Sequence, residues 1–167
     1  SDVCSSDLIL HDVAALAKYQ PPLVIVDLGT ALVFDAVSRE GDYLGGAIAP
    51  GIGIASQALF SRAAMLRRVS IERPESVVGK NTVNSVQSGL FFGYSDMVSG
   101  MVRRFKAEIG EDATVIATGG YAPLLLPELD CIDHVEPNLN LDGLRRVFEA
   151  NWLADRKSTR LNSSHRT

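Results

Sequence analysis

The chain is poor in the residues that staple or metallate a fold. It has two cysteines, Cys4 and Cys131, among 167 residues. They are too few for a disulfide framework and too far apart for a paired metal knuckle, so a reducing, cytoplasmic setting is expected. The three histidines, His11, His134 and His165, have no metal-ligand spacing and read as surface or capping residues. Gly-x-Ser-x-Gly, paired-cysteine and basic-aromatic patterns are all missing. So is any long block of one charge sign: 16 basic and 20 acidic residues are interspersed, for a net charge of −4. This excludes a duplex nucleic-acid binder and a membrane-surface protein, and points to small-molecule partners. With 46% hydrophobic and 22% charged residues, the composition excludes collagen, coiled-coil and disordered classes and fits one soluble domain.

One uncharged run, residues 43 to 61, is long enough to suggest a membrane span. Gly45-Gly46, Pro50-Gly51 and Gly53 interrupt it, so no continuous apolar helix is expected there. The ends differ from the middle. Residues 1–8 and 156–167 lack a hydrophobic period and read as linker-like, non-native flanks or as ordinary frayed tails. The domain between them, residues 9–155, holds 12 basic and 18 acidic side chains, so the folded part is more acidic than the whole.

Within that domain the patterns predict a helix over residues 9–19, ended by Pro21-Pro22. Leu23-Val24-Ile25-Val26 reads as a strand buried on both faces, with Ala31–Val37 its hairpin partner and Asp42–Ile48 a third strand. A helix over Ile52–Leu66 follows, then an irregular connection containing Pro74. Apolar residues at spacings of three and four predict one long helix, Thr82–Ile109, interrupted chemically by Gly89, Gly93 and Gly100. Each glycine costs about 1 kcal/mol of helix propensity, so close packing against that face is expected. Thr114–Ala117 reads as a strand, Tyr121–Leu126 as a short helix and Cys131–Val135 as a strand. Leu141–Trp152 reads as a helix with Leu144, Val147, Phe148 and Trp152 inward.

Two junctions carry candidate chemistry. Asp27-Leu28-Gly29-Thr30 ends the first buried strand, where a carboxylate and a tight glycine turn suit a cation or a phosphate, or simply a capped turn. Ala117-Thr118-Gly119-Gly120 follows a strand and precedes a helix, which suits either close approach of a nucleotide or a tight reversal. Gly79-Lys80-Asn81-Thr82 fails the P-loop pattern, because Pro74 replaces its first glycine and Asn81 its Ser or Thr. Thr82 is a candidate helix N-cap and a candidate ligand contact.

Four blocks in order, LVIVDLGTALVFDAVSREGDYLGGAIAPGI, VVGKNTVNSVQSGLFFGY, VIATGG and NLNLDGLRRVFEAN, resemble type III pantothenate kinase over about residues 9 to 153. The resemblance implies an α/β fold of the actin, Hsp70 and sugar kinase superfamily. This chain would supply a ribonuclease-H-like domain of order β-β-β-α-α-β-α-β-α. The N-terminal half of the family fold, which opens with an Asp-x-Gly-Asn-Thr phosphate loop, would be missing, so the chain is expected to be a fragment.

The implied activity is ATP-dependent phosphorylation of pantothenate, a phosphotransfer to an alcohol and the first step of coenzyme A synthesis. ATP, Mg²⁺ and a monovalent cation (K⁺ or NH₄⁺) are implied as cofactors and a homodimer as the assembly, with no nucleic acid and no membrane. Position by position, Asp27 matches the family's potassium ligand. Gly29, Thr30, Thr118, Gly119 and Gly120 fall on the ATP side. Gly45, Gly46, Pro50 and Gly51 fall in the loop shaping the substrate pocket, and Thr82 on a substrate contact supplied across the dimer. Asp7 stands where the family's catalytic base lies, but Ser5-Ser6-Asp7-Leu8 lacks the glycine and arginine of that Gly-x-Asp-Arg motif. Alternatives are a non-catalytic regulatory relative of the family, or another sugar-kinase-like ATP-dependent kinase. Intact Asp27, Thr30 and Thr82 count against the first, and the GGAIAPG and GKNT blocks against the second.

Overall fold

The computed structural model describes residues 3–62 and 68–163, with side chains for 10–61, 68–150 and 152. Five strands form one mixed sheet in the order β3-β2-β1-β4-β5. The most apolar strand, β1 (Leu23–Leu28), is central. It pairs antiparallel with β2 (Ala31–Val37) and parallel with β4 (Thr114–Thr118). β2 also pairs antiparallel with β3 (Tyr43–Pro50), the exposed edge. A Ser38–Asp42 turn joins them, with Gly41 at φ 90°. β5 (His134–Val135) is the other edge, parallel to β4.

Alternation along the strands sends side chains to two faces, each covered by helix. Val24, Val26, Leu28, Leu32, Phe34 and Val115 pack with Leu90, Phe91, Tyr94, Val98 and Val102 of α3 (Thr82–Ile109). Leu23, Ile25, Val37 and Ile116 pack on the other face with Ala14 and Ala15 of α1 (Val3–Leu16) and Leu139 of α5 (Leu139–Ser163). α2 (Ile52–Arg62) follows β3, and α4 (Ala122–Leu125) follows β4 and runs into a 3₁₀ turn at Leu126–Glu128. No helix among the described residues is long and apolar enough to cross a membrane.

Several sequence expectations need correction. The α3 cap is Asn81, whose side-chain oxygen accepts from the Asn84 N–H at 2.9 Å, so Thr82 is the first helical residue. The strand expected over Cys131–Val135 shrinks to two residues because the Asp133 carboxylate takes the Val115 N–H at 2.8 Å, a donor that a strand carbonyl would otherwise take. α1 starts at Val3 and ends at Leu16, earlier at both ends than expected. The end of the helix expected to reach Leu66 lies outside the described residues.

The last helix is longer than expected and turned differently. Leu144, Phe148 and Trp152 are 55%, 65% and 55% exposed rather than inward. α5 docks through Leu139 and Gly143 instead; a Cβ on Gly143 would strike the Leu10 carbonyl, so only glycine lets the two helices approach so closely. The apolar stripe is thereby rotated away from the sheet, with Phe148 and Trp152 stacked at 6.3 Å between centroids.

Candidate functional site

The carboxyl ends of parallel β1 and β4 lie side by side, with Asp27 and Thr118 in register. In open sheets this end is where strands hand ligands to their loops. Three loops converge there. The Gly29-Thr30 turn leaves β1, and the Thr30 carbonyl accepts from the Gly51 N–H at 3.1 Å. A Cβ on Gly51 would overlap the Gly29 and Thr30 carbonyls, so glycine is what lets the end of β3 close on that turn. The Tyr121 N–H donates to the Leu28 carbonyl at 2.9 Å, bringing in the Gly119-Gly120 loop.

Gly119 has φ 96°, and a Cβ there would collide with Asp27 Oδ1; one on Gly29 would stand 3.0 Å from the same oxygen. Two glycines thus form a cradle around one carboxylate. Below it is a cavity of about 300 Å³ lined by Asp27, Thr118, Gly119 and Gly120, with Pro123 and Pro137 as apolar walls. His11 of α1 and Asn140 of α5 complete it.

The face beneath α1 is acidic. Asp35 on β2 is 1% exposed, and its Oδ1 accepts from the Tyr43 hydroxyl at 3.3 Å. Asp12 on α1 is 6% exposed. Oδ2 of Asp35 and Oδ1 of Asp12 are buried without a hydrogen-bond partner. Burial, then the charge of Asp35, pushes Asp12 up from 3.8 to about 7. Burial likewise raises Asp35 to about 6, the Tyr43 hydrogen bond opposing and the Asp27 charge adding. A carboxylate pressed this way holds its proton near neutrality. Among the described residues no group of three or more His, Cys, Asp or Glu is arranged to hold a metal ion.

The structure gathers Asp27, Gly29, Thr30, Pro50, Gly51, Thr118, Gly119 and Gly120 at one end of the sheet. It does not gather the rest. Gly45 and Gly46 lie at the far end of β3, about 15 Å from Pro50 by strand rise, in a cavity of about 480 Å³ with Leu44, Phe105 and Ile109. Gly46 has a reason of its own: a Cβ would overlap the Phe34 carbonyl and the Asp35 carboxylate of the neighbouring strand. Thr82 lines a third cavity, of about 390 Å³, with Leu59, Ser85, Val86 and Gly89. Phe105, beside Gly45 and Gly46, is about 35 Å from it along α3. Asp7 lies within α1, and its side chain is outside the described residues.

Sequence reasoning missed two lining residues. His11 is 3% exposed, not a surface residue. Its signal was its spacing of three and four from Ala14 and Ala15, which puts it on the inward face of the helix. Asn140 carried no such signal; it enters because α5 begins at Leu139.

Residues 4–104 match the family described as type III pantothenate kinase. Over 146 residues the chain is 53% identical to the type III pantothenate kinase of Moorella thermoacetica, covering 87% of this chain and 58% of that protein. It is 50% identical over 150 residues to that of Rhodococcus erythropolis, covering 87% and 55%. The chain therefore spans a little over half the length of these curated relatives. Among solved structures, a conserved putative Baf family transcriptional activator from Campylobacter jejuni shares the fold, with a TM-score of 0.57 at 22% identity over 85% of this chain and 64% of that one.

Proposed function

The chain belongs to the type III pantothenate kinase family, and we propose that it forms the nucleotide-holding part of an enzyme that phosphorylates pantothenate with ATP. The observation that carries this reading is the convergence of Asp27, Gly29 and Thr30 with Thr118-Gly119-Gly120 at the carboxyl ends of two parallel strands. In the reaction the primary hydroxyl oxygen of pantothenate forms a bond to the γ-phosphorus, the bond to the ADP oxygen breaks, and the hydroxyl proton passes to a carboxylate. Asp7 is the candidate by resemblance. Positioning and charge compensation supply most of the rate in such transfers.

The strand order β3-β2-β1-β4-β5 supports a ribonuclease-H-like domain of the actin-like superfamily, here residues 9–155, working with a second domain. The exposed stripe of Leu144, Phe148 and Trp152 supports a further covering segment. A single carboxylate in a glycine cradle, with no cysteine or second histidine in the described lining, fits a monovalent cation such as K⁺ at Asp27 better than a transition metal. Bound there, the cation would offset phosphate charge, and Mg²⁺ would accompany the nucleotide. Gly89, Gly93 and Gly100 have open space where a Cβ would stand, so no described group of this chain packs directly against these glycines. This supports a homodimer packed helix to helix, with Thr82 reaching a pocket completed by the partner. A cytoplasmic setting fits these substrates.

The test is pantothenate-dependent ADP release. A polypeptide extended with the N-terminal portion of the Moorella thermoacetica relative should show it, and the 167-residue chain alone should not. An extended polypeptide that folds and binds ATP yet leaves pantothenate unphosphorylated would overturn the proposal.

A further inference from the structure

The cavity under Asp27 poses a charge problem. Among the described residues that line it there is no lysine or arginine, and the one formal charge is the Asp27 carboxylate. A nucleoside triphosphate entering here meets repulsion unless a cation or hydrogen-bond donors offset it. Besides backbone N–H groups, the lining offers three side-chain donors: the Thr118 hydroxyl, the Asn140 amide and the His11 ring.

His11 is not an ordinary core histidine. It shares the inward side of α1 with Ala14 and Ala15, and it also lines the cavity beside Asp27. At 3% exposure it is shielded from bulk water, where a hydrogen bond to an anion is worth more than at a surface. Its position is also fixed. Lys18, near the end of α1, binds Glu136 at 2.8 Å and Asp142 at 2.7 Å, and the Tyr19 hydroxyl donates to Glu136 at 2.6 Å. Tyr19 stacks on His134 at 4.6 Å, and the Leu10 carbonyl abuts Gly143. The segment that α1 is clamped to, residues 134–143, is the one that brings Pro137 and Asn140 into the same cavity lining. The spacing within the lining is thus set before any ligand arrives.

We propose that His11 contacts the nucleotide, donating a ring N–H to a phosphate oxygen and so helping to position the polyphosphate against the Gly119-Gly120 loop. The proposal rests on the nucleotide reading above and adds a residue to it. Titration of the 167-residue chain with Mg-ATP, and separately with adenosine, tests it in wild type, His11→Ala and His11→Asn. The alanine variant should bind ATP roughly tenfold to a hundredfold more weakly. Asparagine, which keeps a donor, should recover most of that loss, and adenosine affinity should be the same in all three. Wild-type ATP affinity in both variants overturns the role of His11 while leaving the nucleotide reading intact. An equal loss for ATP and adenosine overturns the phosphate contact, and a wild-type sequence that binds no nucleotide either alone or in the extended polypeptide described above overturns both readings. Should the alanine variant fail to fold, the His11 ring resonance, identified by its disappearance in His11→Asn, must shift as ATP is added to wild type; an unmoved resonance overturns the proposal.

Discussion

Replacing Asp12 with asparagine should make the protein more stable at pH 8 and leave it nearly unchanged at pH 5. Asp12 sits on the inward side of α1 with Oδ1 buried and unpartnered, and burial together with Asp35 raises it from 3.8 to about 7. A carboxyl with a raised folded value keeps a proton that the unfolded chain has released. Its contribution is complete below 3.8 and is lost as pH rises through about 7. A shift of that size corresponds to ~4 kcal/mol lost between those limits. Asparagine removes the charge but brings an amide N–H₂ needing acceptors, at a cost of about 1 kcal/mol. The net expectation is a gain of ~2–3 kcal/mol at pH 8, which moves a urea midpoint by about 1–2 M.

Asp35, raised to about 6 and interacting with Asp12, titrates inside this window. Removing the Asp12 charge eases its ionisation too, so the gain at pH 8 belongs to the pair. The lowered acids lie outside the window. Glu136 and Asp142 are lowered by their hydrogen bonds to Lys18, with Tyr19 also holding Glu136. Their contributions are present above the ordinary values of 4.5 and 3.8 and are lost only as pH falls through the lowered ones. Urea unfolding of wild type and Asp12→Asn at pH 5, 6.5 and 8 gives the difference directly, and subtraction cancels any residue titrating alike in both. A variant no more stable than wild type at pH 8, or a difference independent of pH, would refute the reasoning.

Gly119→Ala should lower Tm, since φ 96° alone costs a side chain about 1–2 kcal/mol and the Cβ collides with Asp27; an unchanged Tm would show that the loop is not held as described. Gly143→Ala gains about 1 kcal/mol of helix propensity but drives a Cβ into the Leu10 carbonyl, so thermal unfolding should show a net loss, and a net gain would mean that α5 does not dock there. Gly93→Ala meets open space within the chain, so the folded monomer should be stabilised by up to about 1 kcal/mol while sedimentation shows a weaker dimer; an unweakened dimer removes α3 from the interface. In an active extended polypeptide, Asp27→Asn should flatten the dependence of turnover on potassium with the fold intact, and activation curves that superimpose on wild type would defeat the cation assignment.

What was legible in the sequence is what burial makes repetitive. β1 is apolar at every position but one because both faces are covered, and the bounds of α3 follow from spacings of three and four held over 28 residues. Where a side chain displaces backbone pairing, pattern reading fails. Asp133 shortens β5 through one carboxylate bond that no propensity encodes. The α5 helix was legible, but the direction of its apolar face was not. Periodicity says that Leu144, Phe148 and Trp152 share a side, whereas Gly143, which has no side chain to register in such a pattern, decides which side meets α1.

The same distinction runs through the site. Asp27, Gly29, Thr118 and Gly119 were legible because each loop carries its own signature at a strand end, and the parallel register of β1 and β4 then brings the two loops together. His11, Asp12 and Asp35 had no loop signature, since they belong to a helix and a strand whose neighbours look like ordinary core. Only the packing of α1 over β1 and β2 turns them into a buried histidine at the cavity wall and a pair of buried acids, each with an unpartnered oxygen. The buried acids also bear on what the cavity can hold. With Asp12 raised to about 7 and Asp35 to about 6, part of the negative charge behind Asp27 is held as neutral carboxyl near neutral pH, chiefly on Asp12. An anionic ligand next to Asp27 therefore meets less repulsion than three ionised carboxylates would impose. Proton retention beneath α1 and donors at the cavity wall then work in the same direction, toward a phosphate-bearing ligand in a site that has no lysine or arginine among its described lining.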